Sequence, residues 1–432
     1  MQFNSIIMKN FSFLILFFCL IKFSYGQDFH HITMNNKIYL DDEIKSVKLC
    51  PSNKKFGPPI IKLHSSEQLR LVFDHLGDGD EYMKYTLIHC THDWQPSDLN
   101  PIEYLDGFME DEIIDRTYSF NTTIGYNHFE LLFPNDILRI TKSGNYLLFV
   151  YDGTPDNPIL TQRFMVVESS TAGIMATVNA AQDVNFMNTH QQIDFIAHTS
   201  NYNVRNPSMY LHATILQNGR WDNAIIGLKY RSANLNEYNF SFDNLNKNIF
   251  SGGAEFRTFD LRTLRTTAER IVSINYNQKI NQAYVIEDIA RPYAQYQSDI
   301  TISGRCFWQN DDFEGENTED YVLTHFSLRC DFPIDNGKLY LFGELTNWDI
   351  LPDAELKFNP QSKYWETSLF LKQGYYNYQY VYIPNGQHII DETFIEGSHW
   401  QTENEYTILL YLKEEGTSYD KIIGTSTVKI QK

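Results

Sequence analysis

The stretch NYLLFVYD, residues Asn145–Asp152, decides the fold class, because it is a short apolar and aromatic run bounded by glycines. Its valine, phenylalanine and tyrosine residues favour a β-strand. Ten other short runs, bounded by Gly, Asp, Asn or Pro, have the same character: Leu69–Leu76, Tyr82–Cys90, Gln162–Glu168, Gln192–His198, Tyr210–Leu216, Tyr321–Cys330, Lys338–Phe342, Tyr364–Leu371, Tyr376–Tyr382 and Glu405–Leu412. Many short strands separated by turn residues predict β-sandwiches in series.

Helical periodicity is weak throughout the chain. No window carries a long apolar stripe at helical spacing, and the best candidate is Pro96–Met109, where Ser97 could cap a short helical turn. The predicted fold is therefore all-β, with tandem immunoglobulin-like β-sandwich domains and few short helices.

The amino terminus has the layout of a secretory signal peptide. Lys9 precedes an apolar run, Phe11–Ile21, and small residues at Ser24 and Gly26 predict cleavage before Gln27. No later stretch approaches the roughly 20 apolar residues that a membrane-spanning helix needs. We therefore expect an exported protein without a transmembrane segment.

Two polar stretches predict domain boundaries in the mature chain. The run Ser169–Gly173 follows a strand and is typical of a linker, and polar residues around Arg291–Asp299 separate a middle region from the last one. The predicted segments are a signal peptide (1–26), an amino-terminal sandwich (27–170), a middle β domain (171–300) and a carboxy-terminal immunoglobulin-like sandwich (301–432).

The charge of the chain excludes two classes of partner. The formal net charge is −19, and it becomes −21 when Lys9 and Lys22 leave with the signal peptide. An acidic protein of this kind is repelled by nucleic acid and by anionic membrane surfaces.

Four cysteines remain after the predicted cleavage: Cys50, Cys90, Cys306 and Cys330. An exported protein can form disulfides, and the pairs Cys50–Cys90 and Cys306–Cys330 would each stay inside one predicted domain. The spacing does not fix the pairing.

One segment invites a metal-site interpretation. HCTHDW brings His89, Cys90, His92 and Asp93 together, but strand residues three apart point to opposite faces, so the end of a strand is the better interpretation. No nucleophile elbow, phosphate loop or zinc-protease motif occurs. The sequence therefore predicts no catalytic residue, no metal ligand and no cofactor, and hence a protein that is not an enzyme.

Two polar blocks are built around aromatic residues. QNGRWDNAI (Gln217–Ile225) contains an Asn-Gly turn signal before Trp221, and SGGAEFRTFDLRTLR (Ser251–Arg265) places arginines among carboxylates. Structurally, these side chains would satisfy local backbone groups and ion pairs. Functionally, tryptophan and arginine at a tight turn are typical anchors of a protein interface.

The last region resembles the immunoglobulin-like carbohydrate-binding modules found beside glycogen- and starch-active enzymes. The resemblance rests on LYLFGELTNWD (Leu339–Asp349) and KYWETSLFLKQGYYNYQYVY (Lys363–Tyr382). It implies an alternative function, a periplasmic or surface glycan-binding protein in which Trp348 and Trp365 stack on sugar rings. A shared scaffold without sugar binding is the competing interpretation.

Taken together, the blocks resemble the plug protein family of the type IX secretion system. Besides the two polar blocks, the resemblance is carried by HCTHDWQPSDLNPIEYLDGF (His89–Phe108), SFNTTIGYNHFELLFPN (Ser119–Asn135), SGNYLLFVYD (Ser143–Asp152), ILTQRFMVVE (Ile159–Glu168), LKQGYYNYQYVY (Leu371–Tyr382) and FIEGSHWQTENEY (Phe394–Tyr406). These segments follow one another over nearly the whole mature chain.

The resemblance implies a periplasmic protein, associated with the inner side of the outer membrane, that binds the giant translocon barrel and other translocon components. Family members seal the periplasmic opening of the barrel when nothing is transported. We expect contact with the barrel, or orientation of contact loops, from aromatic and polar residues in three blocks: Asp93, Trp94, Tyr104, Phe108, Arg220, Trp221, Asp222, Asn223, Phe256 and Arg257.

Overall fold

The computed structural model describes residues 32–40, 42–77, 82–276, 279–315 and 317–430. The predicted signal peptide, residues 1–26, lies outside them. From Met34 onward the chain forms one compact unit. This unit is built almost entirely of strands, so the all-β prediction is confirmed.

Short strands dominate the first third of the chain. Its elements are β1 (Lys37–Ile38), β2 (Ile44–Pro51), β3 (Ile60–Lys62), β4 (Leu69–His75), β5 (Met83–Cys90), α1 (Pro101–Tyr104), β6 (Leu105–Gly107), β7 (Glu110–Glu112), β8 (Asp115–Tyr118), β9 (Asn127–Phe133), β10 (Leu138–Ile140), β11 (Gly144–Asp152) and β12 (Pro158–Val167).

The middle of the chain contains β13 (Gly173–Ala180), β14 (His190–His198), α2 (Pro207–Tyr210), β15 (Leu211–Gln217), β16 (Ile225–Leu228), β17 (Ser232–Asn234), β18 (Glu237–Asn239), β19 (Ile249–Ser251), β20 (Arg257–Asp260), β21 (Ile271–Asn275), β22 (Asn281–Val285) and β23 (Asp288–Ile289). The remainder contains β24 (Cys306–Trp308), β25 (Tyr321–Arg329), β26 (Gly337–Phe342), β27 (Glu355–Asn359), β28 (Tyr364–Lys372), β29 (Gly374–Pro384), α3 (Thr393–Glu396), β30 (Glu405–Leu412) and β31 (Lys421–Lys429). Single 3₁₀ turns occur at Asp243–Leu245, Glu344–Thr346 and Pro352–Ala354.

The first core lies between a four-stranded sheet, in the order β2-β4-β9-β8, and the β12-β11-β5-β7 half of a ten-stranded sheet. The central strand β11 is buried almost from end to end, which explains why its sequence is a continuous apolar run rather than an alternating one. Leu71, Phe73, Phe129 and Leu148 are among the side chains that fill this core.

The second core uses the other half of the same ten-stranded sheet, in the order β16-β15-β30-β31. A smaller sheet, β13-β14-β18-β17 with β19 on β14, packs over it. Strands β12 and β31 join the two halves through the parallel pair Val167 and Ile422, so one sheet serves two cores.

The third core lies inside a second ten-stranded sheet, in the order β20-β29-β26-β27-β28-β25-β22-β21, with β23 on β25 and β24 on β29. The strand β29 is central and carries Tyr376, Tyr378 and Tyr380, all buried. Many of the aromatic residues, which make up 15% of the chain, therefore lie in the packed interior.

The predicted domain boundary near residue 300 cuts across two of these cores. Strands β20 to β23 precede that boundary but belong to the third core, while the hairpin β30–β31 follows it and belongs to the second core. The physical reason is that a strand pairs in the sheet whose apolar face its side chains complete, irrespective of its place in the chain.

The short helix also differs from its prediction. Helix α1 begins after Asn100, whose backbone N–H donates to the Glu103 carboxylate at 2.8 Å. Ser97 is not the cap, because its hydroxyl is paired with Nδ1 of His89 at 2.9 Å.

Candidate functional site at the junction of the three cores

The polar block Gln217–Ile225 reaches a small cavity where the three cores meet. This junction cavity has a volume of about 100 Å³. Its lining comes from the first core (Lys48, Gln162, Arg163), the second (Asn218, Gly219, Trp221) and the third (Arg305, Glu344, Trp348). Residues of all three cores therefore meet at this cavity.

The Asn-Gly turn that enters the cavity forms as predicted. Asn218 and Gly219 both have positive φ (56° and 76°), and the backbone N–H of Arg220 donates to the carbonyl of Gln217 at 3.1 Å. Positive φ at both central residues is the requirement of a type I′ turn, which explains the Asn-Gly pair. The turn carries Arg220 and Trp221 directly into the junction.

Arg220 is buried and forms ion pairs inside the protein, so it is not exposed for contact with a partner. Its side chain is 1% exposed, and its Nη2 donates to Glu392 at 2.7 Å and, at 2.5 Å, to Asp222. The guanidinium also lies 4.5 Å from the ring centre of Trp348. Burial alone lowers the pKa of Arg220, but the Glu392 and Asp222 carboxylates outweigh it and raise that pKa above its ordinary value.

Trp221, which lines the cavity, packs against Trp94. Their rings meet edge to face at 4.8 Å between centres. The guanidinium of Arg163 lies 4.4 Å from the Trp94 ring centre and 5.4 Å from that of Trp221. Trp94 is 2% exposed, so it packs inside the protein.

A second buried ionic group, in the third core, contains Arg257. Its Nη1 donates to Asp288 at 2.8 Å and its Nε to Glu396 at 2.9 Å. Burial would raise the pKa of Glu396, but Arg257 and Arg291 outweigh that effect and lower the pKa to about 2. The carboxylate is therefore ionised, and it fastens α3 to the sheet.

The first and third cores are joined by a third such group. Nζ of Lys372 donates to the Asp74 carboxylate at 2.7 Å, and both side chains are almost fully buried. The hydroxyl of Tyr321 donates to the same carboxylate at 2.7 Å, and His128 contacts it at 2.6 Å. Burial would raise the pKa of Asp74, but Lys372 and His128 lower it.

The predicted contact residues fall into three groups: buried, exposed and half-buried. Trp94, Tyr104, Arg220 and Phe256 are buried, and the Arg257 side chain is nearly so. Asp93 and Phe108 are exposed, Phe108 by 69%. Trp221 and Asn223 are half-buried, while the exposed Asp222 is held by Arg220.

The rings expected to stack on sugar are not equivalent. Trp348 is half-buried among Phe256, Phe342 and the Arg220 guanidinium. Trp365 is half-buried and packs at 5.5 Å against Phe358. Trp348 is therefore used in the interior contact between the second and third cores.

The predicted disulfides are wrong, because all four cysteines are free. Cys50 lies on β2 and Cys90 on β5, which belong to the two opposed sheets of the first core. Burial raises the pKa of Cys90 and of Cys330 to about 12, so these thiols stay protonated and unreactive.

The histidines of HCTHDW take part in packing. His92 contacts Asp420 at 3.1 Å and stacks on His212 at 4.5 Å, while His89 donates or accepts only within the first core. Over the residues that the structure describes, no group of three or more His, Cys, Asp or Glu side chains could hold a metal ion.

A larger cavity, of about 520 Å³, lies between β2 and the third core. Its wall includes Glu344, whose carboxylate is bound to Lys48 at 3.1 Å and to the backbone N–H of Cys306 at 2.6 Å. Because this carboxylate is already engaged, it serves structure rather than proton transfer. None of the described helices has the length and apolarity to cross a bilayer.

Sequence reasoning missed Arg163, Asp74, Lys372, Asp288 and Glu392. Their partners are distant in the chain, as for Asp74 and Lys372, which are 298 residues apart. No local pattern marks such a pair, so only the folded chain could show them.

The chain is similar to known proteins at two levels, that of a sequence family and that of a solved structure. Residues 44–168, which span the first core, match the family model described as type 9 secretion system plug protein 1st domain. The structure is similar to the 2.30 Å crystal structure of a hypothetical protein from Parabacteroides merdae ATCC 43184, with a TM-score of 0.87 and 33% sequence identity over 92% of this chain and 100% of that chain. No curated protein matches the chain.

Proposed function

Because this chain belongs to the type 9 secretion system plug protein family, we propose that it binds the outer-membrane barrel of the translocon and closes its periplasmic opening between transport events. Membership makes it a component of type 9 secretion, in a family of secretion components rather than enzymes. Binding of the barrel, gating and a periplasmic location are the parts that we propose.

The observation that carries the proposal is the set of buried ion pairs that fasten the three cores to one another. A barrel wide enough for folded cargo leaks small solutes unless rigid mass fills its opening. Arg220 with Glu392 and Lys372 with Asp74 each join segments far apart in the chain, so the cores cannot move separately without exposing a buried charge. Such a body can block an opening by steric exclusion alone.

Phe108 is the aromatic residue of the predicted contact set that the fold leaves free for a partner. Its backbone N–H donates to the carbonyl of Ile137 at 2.9 Å, which places a second exposed apolar side chain, 45% exposed, beside it. Exposed aromatic and aliphatic side chains of this kind serve as anchors in protein interfaces. We assign Phe108 and Ile137 to the surface that contacts the barrel.

Purification of the tagged barrel from membranes tests the proposal. We expect the wild-type protein to co-purify and the double variant Phe108→Asp/Ile137→Asp to be lost from the complex. The matched control is Leu235→Asp, which alters a side chain 91% exposed on the second core and should co-purify normally. Absence of the wild-type protein from every barrel complex would contradict barrel binding, whereas equal recovery of all variants would contradict only the assigned surface.

A further inference from the structure

The junction cavity contains a largely buried cation that has no carboxylate partner among the described residues. We infer that this cavity is a binding site for an oxyanion group, a carboxylate or a phosphate, held by Arg163 at the meeting point of the three cores. This inference concerns a ligand site and goes beyond closure of the barrel.

Arg163 is unlike the fully buried arginines. Arg220 and Arg257 each contact two carboxylates, whereas Arg163 donates from Nε (2.7 Å) and Nη2 to one backbone carbonyl, that of Met34. Among the described residues its Nη1 has no hydrogen-bond partner and no carboxylate forms an ion pair with it. Burial lowers the pKa of Arg163 to about 10, which still leaves the guanidinium charged at neutral pH.

The contacts with the Trp94 and Trp221 rings offset only part of the hydration free energy that Arg163 loses on burial. A cation over an aromatic face is stabilised by less than the removal of an ion from water costs, so the indole rings do not replace a counter-ion. Natural proteins pair buried charges for this reason. An anion at the junction would supply the missing partner.

A second donor beside Arg163 also lacks an acceptor. The indole Nε1 of Trp94 is buried and has no hydrogen-bond partner among the described residues. The Trp94 ring contacts the Arg163 guanidinium, so a buried donor without an acceptor lies next to the cation that lines the cavity.

Three basic residues line the cavity: Lys48, Arg163 and Arg305. Lys48 is paired with Glu344 at 3.1 Å and Arg305 with Glu405 at 3.0 Å. Arg163 is therefore the lining cation that has no carboxylate partner among the described residues. An unpaired cation of this kind attracts small anions.

The size of the cavity is consistent with this ligand. A cavity of about 100 Å³ is large enough for a carboxylate or phosphate group. The planar guanidinium matches two oxygens of such a group better than it matches a halide ion. An aspartate or glutamate side chain, a free small acid and a phosphate share this chemistry.

Tryptophan fluorescence tests the inference, because Trp221 and Trp348 line the cavity. Sodium chloride is replaced by sodium acetate or by sodium phosphate at constant ionic strength, and emission of the full-length protein is followed. We expect a saturable change with at least one oxyanion. Saturation with acetate identifies a carboxylate site and saturation with phosphate identifies a phosphate site, and either result supports the inference.

Two variants and a control complete the experiment. Arg163→Met should weaken the saturable response by about tenfold or more, as loss of a charge-assisted hydrogen bond predicts. Arg163→Lys keeps the positive charge but lacks the planar guanidinium, so it should also bind the oxyanion more weakly. This variant provides the test if Arg163→Met does not fold. Arg139→Met, at an exposed arginine of the same core, should respond like the wild type. The absence of a saturable response in the wild type, or a wild-type response in the folded Arg163 variants, would overturn the inference.

Discussion

The buried arginines are the residues that hold distant parts of this chain in place. Arg220 reaches Glu392, 172 residues away, and Arg257 reaches Glu396, 139 residues away. A buried ion pair contributes little net stability compared with an apolar replacement, yet removing one partner leaves an uncompensated charge in the interior. These pairs therefore fix the arrangement of the cores more than they stabilise them.

Replacement of Arg220 by methionine should lower the free energy of unfolding by about 3–5 kcal/mol, since Glu392 would remain in the interior without its partner. Urea unfolding followed by fluorescence measures this change. The double variant Arg220→Met/Glu392→Gln should recover part of the loss. The control, Arg205→Met, breaks the exposed pair with Glu415 and should change stability by less than about 0.5 kcal/mol; equal effects at both arginines would contradict the account.

Two buried histidines predict sensitivity to mild acid. Burial lowers the pKa of His89 to about 4; burial, His92 and Lys229 lower that of His212 to about 4, against 6.5 for an exposed histidine. The unfolded chain therefore binds these protons first, and stability falls as the pH drops from about 6.5 to about 4. His212→Asn should reduce the slope of unfolding free energy against pH within this window, whereas an unchanged slope would show that His212 does not cause it.

The residue-level predictions from sequence succeeded where the cause was local. The turn at Asn218 and Gly219 follows from the conformational preference of these two residues, and it forms. The role of Arg220 could not be predicted, because Glu392 has no relation to it in sequence spacing. For the same reason Trp94 and Phe256 were expected in an interface but lie in the interior.

At the level of elements, central strands were predictable and their assignment to cores was not. Strand β30 was predicted with its observed bounds, Glu405–Leu412, because it is a continuous buried run. Its partner β31 escaped prediction, since only Ile422 and Ile423 form a buried apolar pair and, apart from Val428, the residues from Thr425 to Lys429 are polar. Pairing of β30 with β15 links residues nearly 200 positions apart, which no local pattern records.

The exchange of strands between regions predicts that the last region does not fold alone. A fragment of residues 301–432 lacks β20 to β23, which complete the third core, and carries β30 and β31 without the sheet that they complete. We expect this fragment to unfold without a cooperative transition in circular dichroism, in contrast to the full mature chain. A sharp transition of the isolated fragment would show that the region is an independent domain.

At the level of the whole molecule, two of the three cores share one sheet, buried ion pairs connect the third core to them, and the chain forms a single compact unit from Met34 onward. A body of this kind suits a function that depends on bulk and stiffness rather than on chemistry. Buried tryptophan and arginine residues of the predicted contact set, such as Trp94 and Arg220, lie inside the protein because they form the contacts between the cores.

The conductance of the purified translocon barrel in a planar lipid bilayer tests the central claim most directly. Addition of the folded protein to the periplasmic side should reduce the conductance in a saturable and reversible way, because a rigid body occupies the opening. Phe108→Asp/Ile137→Asp should require a higher concentration for the same block. A conductance that stays constant while the wild-type protein is bound to the barrel would contradict occlusion as its function.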